Sequence, residues 1–349
     1  MDSLESDVLE LAKRCPKKMK NGPCGSSSEG QCEIGGLCVW KEIYDNLKDK
    51  DRLSILDNVL GTEKYGYSPY SDKKAESFLD KKRFVVTTEI DPPKGTDLTR
   101  IKEFLENVGG ADAVNVVDNP LGNPLMSGLF PALYVMKNKL RPIYQVTCRD
   151  RNLAGIQSDI FGVYAAGVRD VLVLTGDYVT KNSKPVFDVD STILAYLMKT
   201  KLPNKLDFSG RKMDTEIILN VGVAVNPNTR PLDMELIKFK KKMHFADFAQ
   251  TQAVFDADVL ANFSKVTNFH ERTLIGILPI TSYKMAEAMA KLPGVKIPCD
   301  LMAELKEDKN AGIRRAKELL KQAKEIGFRG VHLMTFTDHN LFSKLTKSV

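Results

Sequence analysis

Polar residues recur in this sequence at the ends of short β-branched runs. The runs are RFVVTTEI, DAVNVV, RPIYQVT, RDVLVLT, TEIILNVGV, DFAQTQAV, TLIGILPI and GVHLMTF. At their ends stand Glu89 and Asp91, then Asp118 and Asn119, then Gln145, Thr147, Cys148 and Arg149. Thr175, Gly176 and Asp177 follow, then Asn226 and Asn228, and then Gln250, Gln252 and Asp256. Ser282, Tyr283, Thr335, Thr337 and Asp338 complete the series. Any one of these is most simply a helix cap or a turn former. Together they would line one mouth with carboxylates and carboxamides, which suits a polar heterocycle better than a phosphosugar. No glycine-rich phosphate loop follows the last two runs, but the lysines at 238, 240, 241 and 242 offer a phosphate a hold from the side.

A second constellation lies near the N-terminus. Cys15, Cys24, Cys32 and Cys38 have the spacing C-x8-C-x7-C-x5-C. Most structural zinc sites use a C-x2-C knuckle, which is absent here. Cys15 precedes Pro16, a pairing also found beside iron–sulfur ligands. The segment is rich in glycine, serine and proline and cannot build its own core, so a staple is expected. A [4Fe–4S] cluster, a zinc ion and disulfides compete for that role, and disulfides suit a reducing compartment least. Cys148 and Cys299 fall outside the group, and His244, His270, His332 and His339 show no ligand spacing. Trp40 reads as packing for the module rather than as a cofactor contact.

The elements that must position these residues are legible from periodicity. The eight runs are nearly continuous in apolar residues and alternate with amphipathic stretches such as LTRIKEFLENVG and RRAKELLKQAKEIG. That pattern predicts a parallel sheet buried on both faces. Eight units predict an α/β fold of the closed eight-stranded (TIM) barrel type over residues 81–349, with active-site residues at the C-terminal strand ends. An open dinucleotide-binding sheet is weakened because no G-x-G-x-x-G follows any run. Residues 1–80 are expected to form a small cysteine-rich metal-binding domain, followed by a helix and a linker. The chain of 349 residues is 43% apolar with a net charge of +6, which fits a folded protein with a small anionic ligand and does not call for nucleic acid. The acidic N-terminus is no signal peptide and no apolar run is long enough to span a membrane, so a cytoplasmic protein is expected.

Four of the strand ends carry a resemblance. TTEIDPPKG at 87–95, LVLTGD at 172–177, QTQAVFD at 250–256 and GILPI at 276–280 resemble the methylenetetrahydrofolate reductase family, in order, across about residues 84–349. The resemblance implies reduction of 5,10-methylenetetrahydrofolate to 5-methyltetrahydrofolate through a bound flavin, FMN or FAD. It implies Glu89 as the general acid that opens the imidazolidine ring, a task that requires a raised carboxyl pKa. It implies Asp177 beside the flavin and the pterin, Gln252 as a hydrogen-bonding partner of the folate, and Tyr283 as an aromatic that stacks on the substrate. Lys242 matches a basic residue at the flavin phosphate, with Lys241 one place away. Asn119, Gln145 and Thr147 are further flavin-binding candidates.

Two positions depart from the family pattern. Gln145 stands where the family has a histidine, and Asp338 lies near the place of an arginine common in NADH-using members. The cysteine segment CPK…NGPCG…CE…CVW resembles a reductase-associated subunit of anaerobic one-carbon metabolism. Together these imply electrons arriving through an iron–sulfur cluster from a ferredoxin or partner subunit. The alternatives are tetrahydromethanopterin as the pterin, NAD(P)H as direct donor with a structural zinc, or a non-catalytic electron-transfer or scaffold subunit. A homo-oligomer is compatible with all of them.

Overall fold

Buried on both faces, the β-branched runs have only each other to satisfy their backbone groups, and they close on themselves. In the computed structural model, which describes residues 3–27, 30–47, 65–179 and 183–347, eight parallel strands pair in sequence order and the last pairs with the first. They are β1 (Val85–Ile90), β2 (Ala113–Val116), β3 (Pro142–Thr147), β4 (Asp170–Leu174), β5 (Asn220–Val225), β6 (Phe248–Thr251), β7 (Thr273–Ile277) and β8 (Gly330–Leu333). The expected TIM barrel is therefore the fold. The fifth run starts later than its sequence pattern suggested, because Thr215–Leu219 lie outside the strand that begins at Asn220.

Among the described residues, two helices precede the barrel, α1 (Ser3–Ala12) and α2 (Val39–Asn46). Around the barrel lie α3 (Thr99–Asn107), α4 (Leu129–Lys137), α5 (Leu153–Ala165), α6 (Ser191–Thr200), α7 (Leu232–His244) and α8 (Ala257–Val266). After β7 come α9 (Tyr283–Met289), α10 (Cys299–Glu307) and α11 (Ala311–Ile326), and α12 (His339–Thr346) follows β8. No helix among the described residues is long and apolar enough to cross a membrane. The N-terminal end of the barrel is plugged by Phe78, which packs with Val85, Ala113, Ile143, Leu172, Phe248 and Leu274. The residues that close the barrel thus begin before β1. The helix expected within residues 48–64 lies outside the described residues.

The cysteine module does not stand apart from the barrel. Val8, Ala12, Met19, Cys38, Trp40, Ile43 and Leu47 form one apolar cluster with Met234 and Ile237 of α7. Trp40 is part of this packing, and its indole N–H donates to the Met19 carbonyl at 3.0 Å. Contact is close enough at Gly22 (φ 133°) that an added Cβ would lie 2.6 Å from Lys238 Cβ, so glycine is required there.

Candidate functional site

The C-terminal strand ends surround a cavity of about 320 Å³. Its walls include Glu89 from β1, Asn119 after β2, Gln145, Thr147 and Arg149 from β3, Asp177 after β4, Lys242 of α7, and Gln250 and Gln252 from β6. Nearly all of the expected site residues are therefore brought together. Tyr283 is not among them. It opens α9 behind the N-cap Ser282, its ring joins a separate apolar cluster with Leu278 and Ile280, and the Lys306 ammonium lies 5.2 Å from its centroid. Tyr283 thus does not line the cavity.

The order of the strand ends explains each placement. Glu89 sits in register with Asn115 of β2, and the Asn115 and Gln250 carboxamides exchange hydrogen bonds of 2.7 and 3.2 Å across the barrel interior. Glu89 Oε2 lies 3.4 Å from His332 Nε2, and the other ring nitrogen lies 3.0 Å from Thr87 Oγ1. This Thr87–His332–Glu89 chain was missed from sequence because His332 sits mid-strand with no motif around it. A signal was available: a histidine seven strands away in sequence but on β8, the strand that closes the barrel beside β1.

Just past the end of β1, the Asp91 carboxyl is pushed up, to about 7. Burial is the main cause, the neighbouring Glu89 charge adds to it, and Arg100 opposes it. Thr337 Oγ1 accepts from the Asp91 N–H at 2.9 Å, at a point where both Phe336 and Thr337 have left-handed φ.

Arg149 organises the opposite wall. Its buried guanidinium donates to the carbonyls of Asn119 (2.7 Å) and Asp177 (3.3 Å) and to both carboxylate oxygens of Asp150 (2.7 Å each). Thr147 N–H donates to Asp118 at 2.8 Å. Gly176 (φ 89°) lets the loop pass Thr147, since an added Cβ would lie 2.4 Å from Thr147 Cγ2. Gln252 leaves most of its carboxamide for a ligand, with Oε1 accepting only the Ala253 N–H at 2.9 Å.

The lysine cluster is not the solvated face that a charge run usually forms. Lys238, Lys241 and Lys242 are buried and only Lys240 is exposed, because the N-terminal module covers this helix. Lys242 is pushed down to about 7 by burial and by Lys238, against the pull of Glu235. Its ammonium donates to the Ala224 carbonyl at 2.6 Å. Glu235 is buried as well, and its Oε2 has no hydrogen-bond partner.

Several strand-end residues prove to be caps. Asp256, Ser282 and Asp338 each accept a backbone N–H at the start of α8, α9 and α12. Cys148 is fully buried, and burial pushes its thiol up, which marks it as core rather than nucleophile.

The expected four-cysteine metal centre is not shown among the described residues. Among the described residues, no three or more histidine, cysteine, aspartate or glutamate side chains are placed so as to hold a metal ion. Cys15, Cys24 and Cys38 belong instead to the apolar cluster around Trp40, and burial pushes the Cys15 and Cys38 thiols up. Cys32 lies on a turn closed by Gly35 N–H to the Cys32 carbonyl (2.9 Å) and Cys32 N–H to the Gly36 carbonyl (2.8 Å). All four cysteines are free of disulfides. Cys24, Gly25 and Ser26, which sequence reasoning assigned only to the module, line the barrel cavity itself.

Comparison with known proteins fits this geometry. The family model for methylenetetrahydrofolate reductase matches residues 74–349. The chain belongs to the methylenetetrahydrofolate reductase family. A second model, described as methylene-tetrahydrofolate reductase C terminal, matches residues 8–66, the cysteine module. A 5,10-methylenetetrahydrofolate reductase from Pectobacterium carotovorum subsp. carotovorum is 24% identical over 157 residues, which cover 44% of this chain and 48% of that protein. The chain thus spans about half the length of the curated relative it matches. Among solved structures, an uncharacterized protein from Clostridium thermocellum that binds two copies of 5-methyl-5,6,7,8-tetrahydrofolic acid matches with a TM-score of 0.56. It is 18% identical and covers 77% of this chain and 94% of that one, a likeness of fold.

Proposed function

We propose that this reductase-family member converts 5,10-methylenetetrahydrofolate to 5-methyltetrahydrofolate with a bound flavin. The observation that carries the reading is that Glu89, Asp177 and Gln252 face one cavity at the mouth of the barrel. The lining also fits a flavin. The carboxamides of Asn119 and Gln145 line the cavity together with the apolar Val117, Leu172 and Val173, which suits a planar ring with alternating donors and acceptors. When bound, the flavin supplies hydride-transfer chemistry that no side chain here can provide.

The chain's own residues do the acid–base and electrostatic work. Glu89 delivers a proton to the ring nitrogen as the imidazolidine opens, oriented by His332 and Thr87 behind it. Asp177 sets a negative charge beside the cation that develops on the opened pterin. Gln252 holds the pterin edge through its free amide positions. Asp338 serves as the α12 N-cap where the family resemblance puts an arginine. This favours a protein electron donor, such as a ferredoxin or partner subunit, over a pyridine nucleotide.

The proposal extends to the module as a candidate metal centre, a [4Fe–4S] cluster before zinc. The thiols that share one cluster support it, and the absence of a close ligand set among the described residues speaks against it, so no step is derived through it. Iron, sulfide and zinc analysis of anaerobically purified protein decides between cluster, zinc and neither. The reaction itself is tested on the flavoprotein. Bleached by dithionite, it should be reoxidised by methylenetetrahydrofolate, and no reoxidation rejects the reading.

A further inference from the structure

Residue 177 is held on both sides by the cysteine module. Lys17 Nζ donates to the Gly176 carbonyl at 3.0 Å, and the Tyr178 N–H donates to Glu33 Oε2 at 3.3 Å. Lys17 and Glu33 form an ion pair whose side chains are only 3% and 5% exposed. Lys17 also reaches Ser26 Oγ at 3.4 Å, and Ser26 lines the cavity. On the far side, the Asn226 carboxamide donates to the Gly25 carbonyl at 2.8 Å and to the Gly294 carbonyl at 3.0 Å. Asn21 Nδ2 donates to Asp190 at 2.8 Å and Lys18 Nζ to the Val186 carbonyl at 3.1 Å.

A buried ion pair is a poor way to gain stability, because desolvating both charges offsets most of their attraction and apolar replacements often do as well. What such a pair does provide is a fixed geometry. Here its remaining hydrogen-bonding capacity goes to the two residues flanking Asp177, and each partner lies next to or two residues from a cysteine of the module. An apolar contact could not hold a carbonyl and an amide at once. Arg149 bonds the Asp177 carbonyl from the barrel side, so the loop is clamped between barrel and module.

We propose that Lys17 and Glu33 are positioning residues for Asp177. Through them the N-terminal module forms a working wall of the active site rather than an appended domain. This rests on the reaction proposed above for the same cavity. The clamp sets where the Asp177 carboxylate stands relative to the cation on the substrate. Loss of the clamp should therefore act on turnover rather than on substrate affinity.

The test uses the full-length flavoprotein, with kcat and KM for methylenetetrahydrofolate measured from flavin reoxidation. Lys17→Met and Glu33→Gln should each lower kcat by about 10- to 100-fold, the scale of a displacement of about 1 Å in a reacting group. KM and flavin content should stay within about twofold of wild type. Lys17→Arg should recover most of the loss, and the double variant Lys17→Met/Glu33→Gln should show a kcat loss at least as large as the single ones while being destabilised less than either, because no buried charge is left alone. Lys13→Met, at an exposed ion pair, is the unaffected control.

Hydrogen exchange at the amides of residues 176–178 gives a readout that does not depend on the reaction. It should quicken in Lys17→Met and in Glu33→Ala. Where Lys17→Met does not fold, Glu33→Gln, nearly the same shape and still able to accept from Tyr178, carries the kinetic test. Folded variants with kcat within twofold of wild type overturn the proposal, as does a loss that follows flavin content and ignores Lys17→Arg. If wild type is not reoxidised by methylenetetrahydrofolate, the reaction fails but the clamp does not, and unchanged exchange at 176–178 is then what overturns the clamp.

Discussion

Replacing Asp91 with asparagine should stabilise the protein, and only above mildly acidic pH. Burial beside Glu89 raises the Asp91 carboxyl from 3.8 to about 7. The folded protein therefore keeps a proton that the unfolded chain has released between about pH 4 and pH 7. Wherever the native state binds more protons, stability falls as pH rises. The wild type thus loses stability through that window and levels off above it. Each tenfold change in proton affinity is worth about 1.4 kcal/mol, so a rise from 3.8 to about 7 corresponds to about 4 kcal/mol at pH 8. Asp91 is partly open to solvent and Arg100 stands near it, which argues for about half that figure, about 2 kcal/mol, in a measured difference. Asparagine keeps the shape and has no charge to bury. Equilibrium urea unfolding of wild type and Asp91→Asn at pH steps from 4 to 8 gives the difference curve. The curve should be near zero at pH 4 and rise to its plateau by about pH 7. A difference that does not vary with pH, or one that is largest at pH 4, would refute the argument that a buried proton sits at this strand end.

Other expectations follow from single contacts. Glu89→Gln should keep flavin and lose folate-dependent reoxidation by about 10²- to 10⁴-fold, the usual contribution of a general acid, and normal turnover would remove Glu89 from that role. Gly176→Ala must place a Cβ 2.4 Å from Thr147 Cγ2 at a φ of 89°, and should lower stability by at least about 2 kcal/mol in the same urea assay. Arg149→Met leaves the Asp150 carboxylate and the carbonyls of Asn119 and Asp177 without their donor. It should cost about 3–5 kcal/mol, and a loss below about 1 kcal/mol would show that the buried guanidinium is not the organiser of that wall.

Most of the barrel was legible because its signal is local. Strand, helix and strand-end chemistry repeat eight times, and a closed parallel barrel is the fold that such a count requires. What lay at a strand end was harder to sort, since the same residue types cap helices and bind ligands. Asp256, Ser282 and Asp338 went to capping, whereas Glu89, Asn119, Gln145 and Asp177 went to the cavity. A cap is used up by the first turn of its helix, whereas Glu89 and Gln145 still lie within β1 and β3, and Asp177 is followed by a loop that runs on before α6.

The module was harder to read for a different reason. Its composition says only that it cannot fold alone, and a metal is the usual remedy for a cysteine-rich segment of that size. The structure supplies another remedy, the barrel itself. Met234 and Ile237 of α7 complete the apolar cluster under Trp40, and the stems of Lys238 and Lys241 lie beneath Gly22 and Asn21. A run of lysines that would otherwise face water becomes buried, and with it comes Glu235 as a compensating charge. None of this has a sequence period, because the partners lie on the order of 150 to 220 residues apart and meet only once the barrel has closed. The consequence is that the cavity wall formed by Cys24, Gly25 and Ser26 depends on contacts made by the module as a whole. The loop that carries Asp177 is therefore tied, through Lys17 and Glu33, to the module as well as to the barrel.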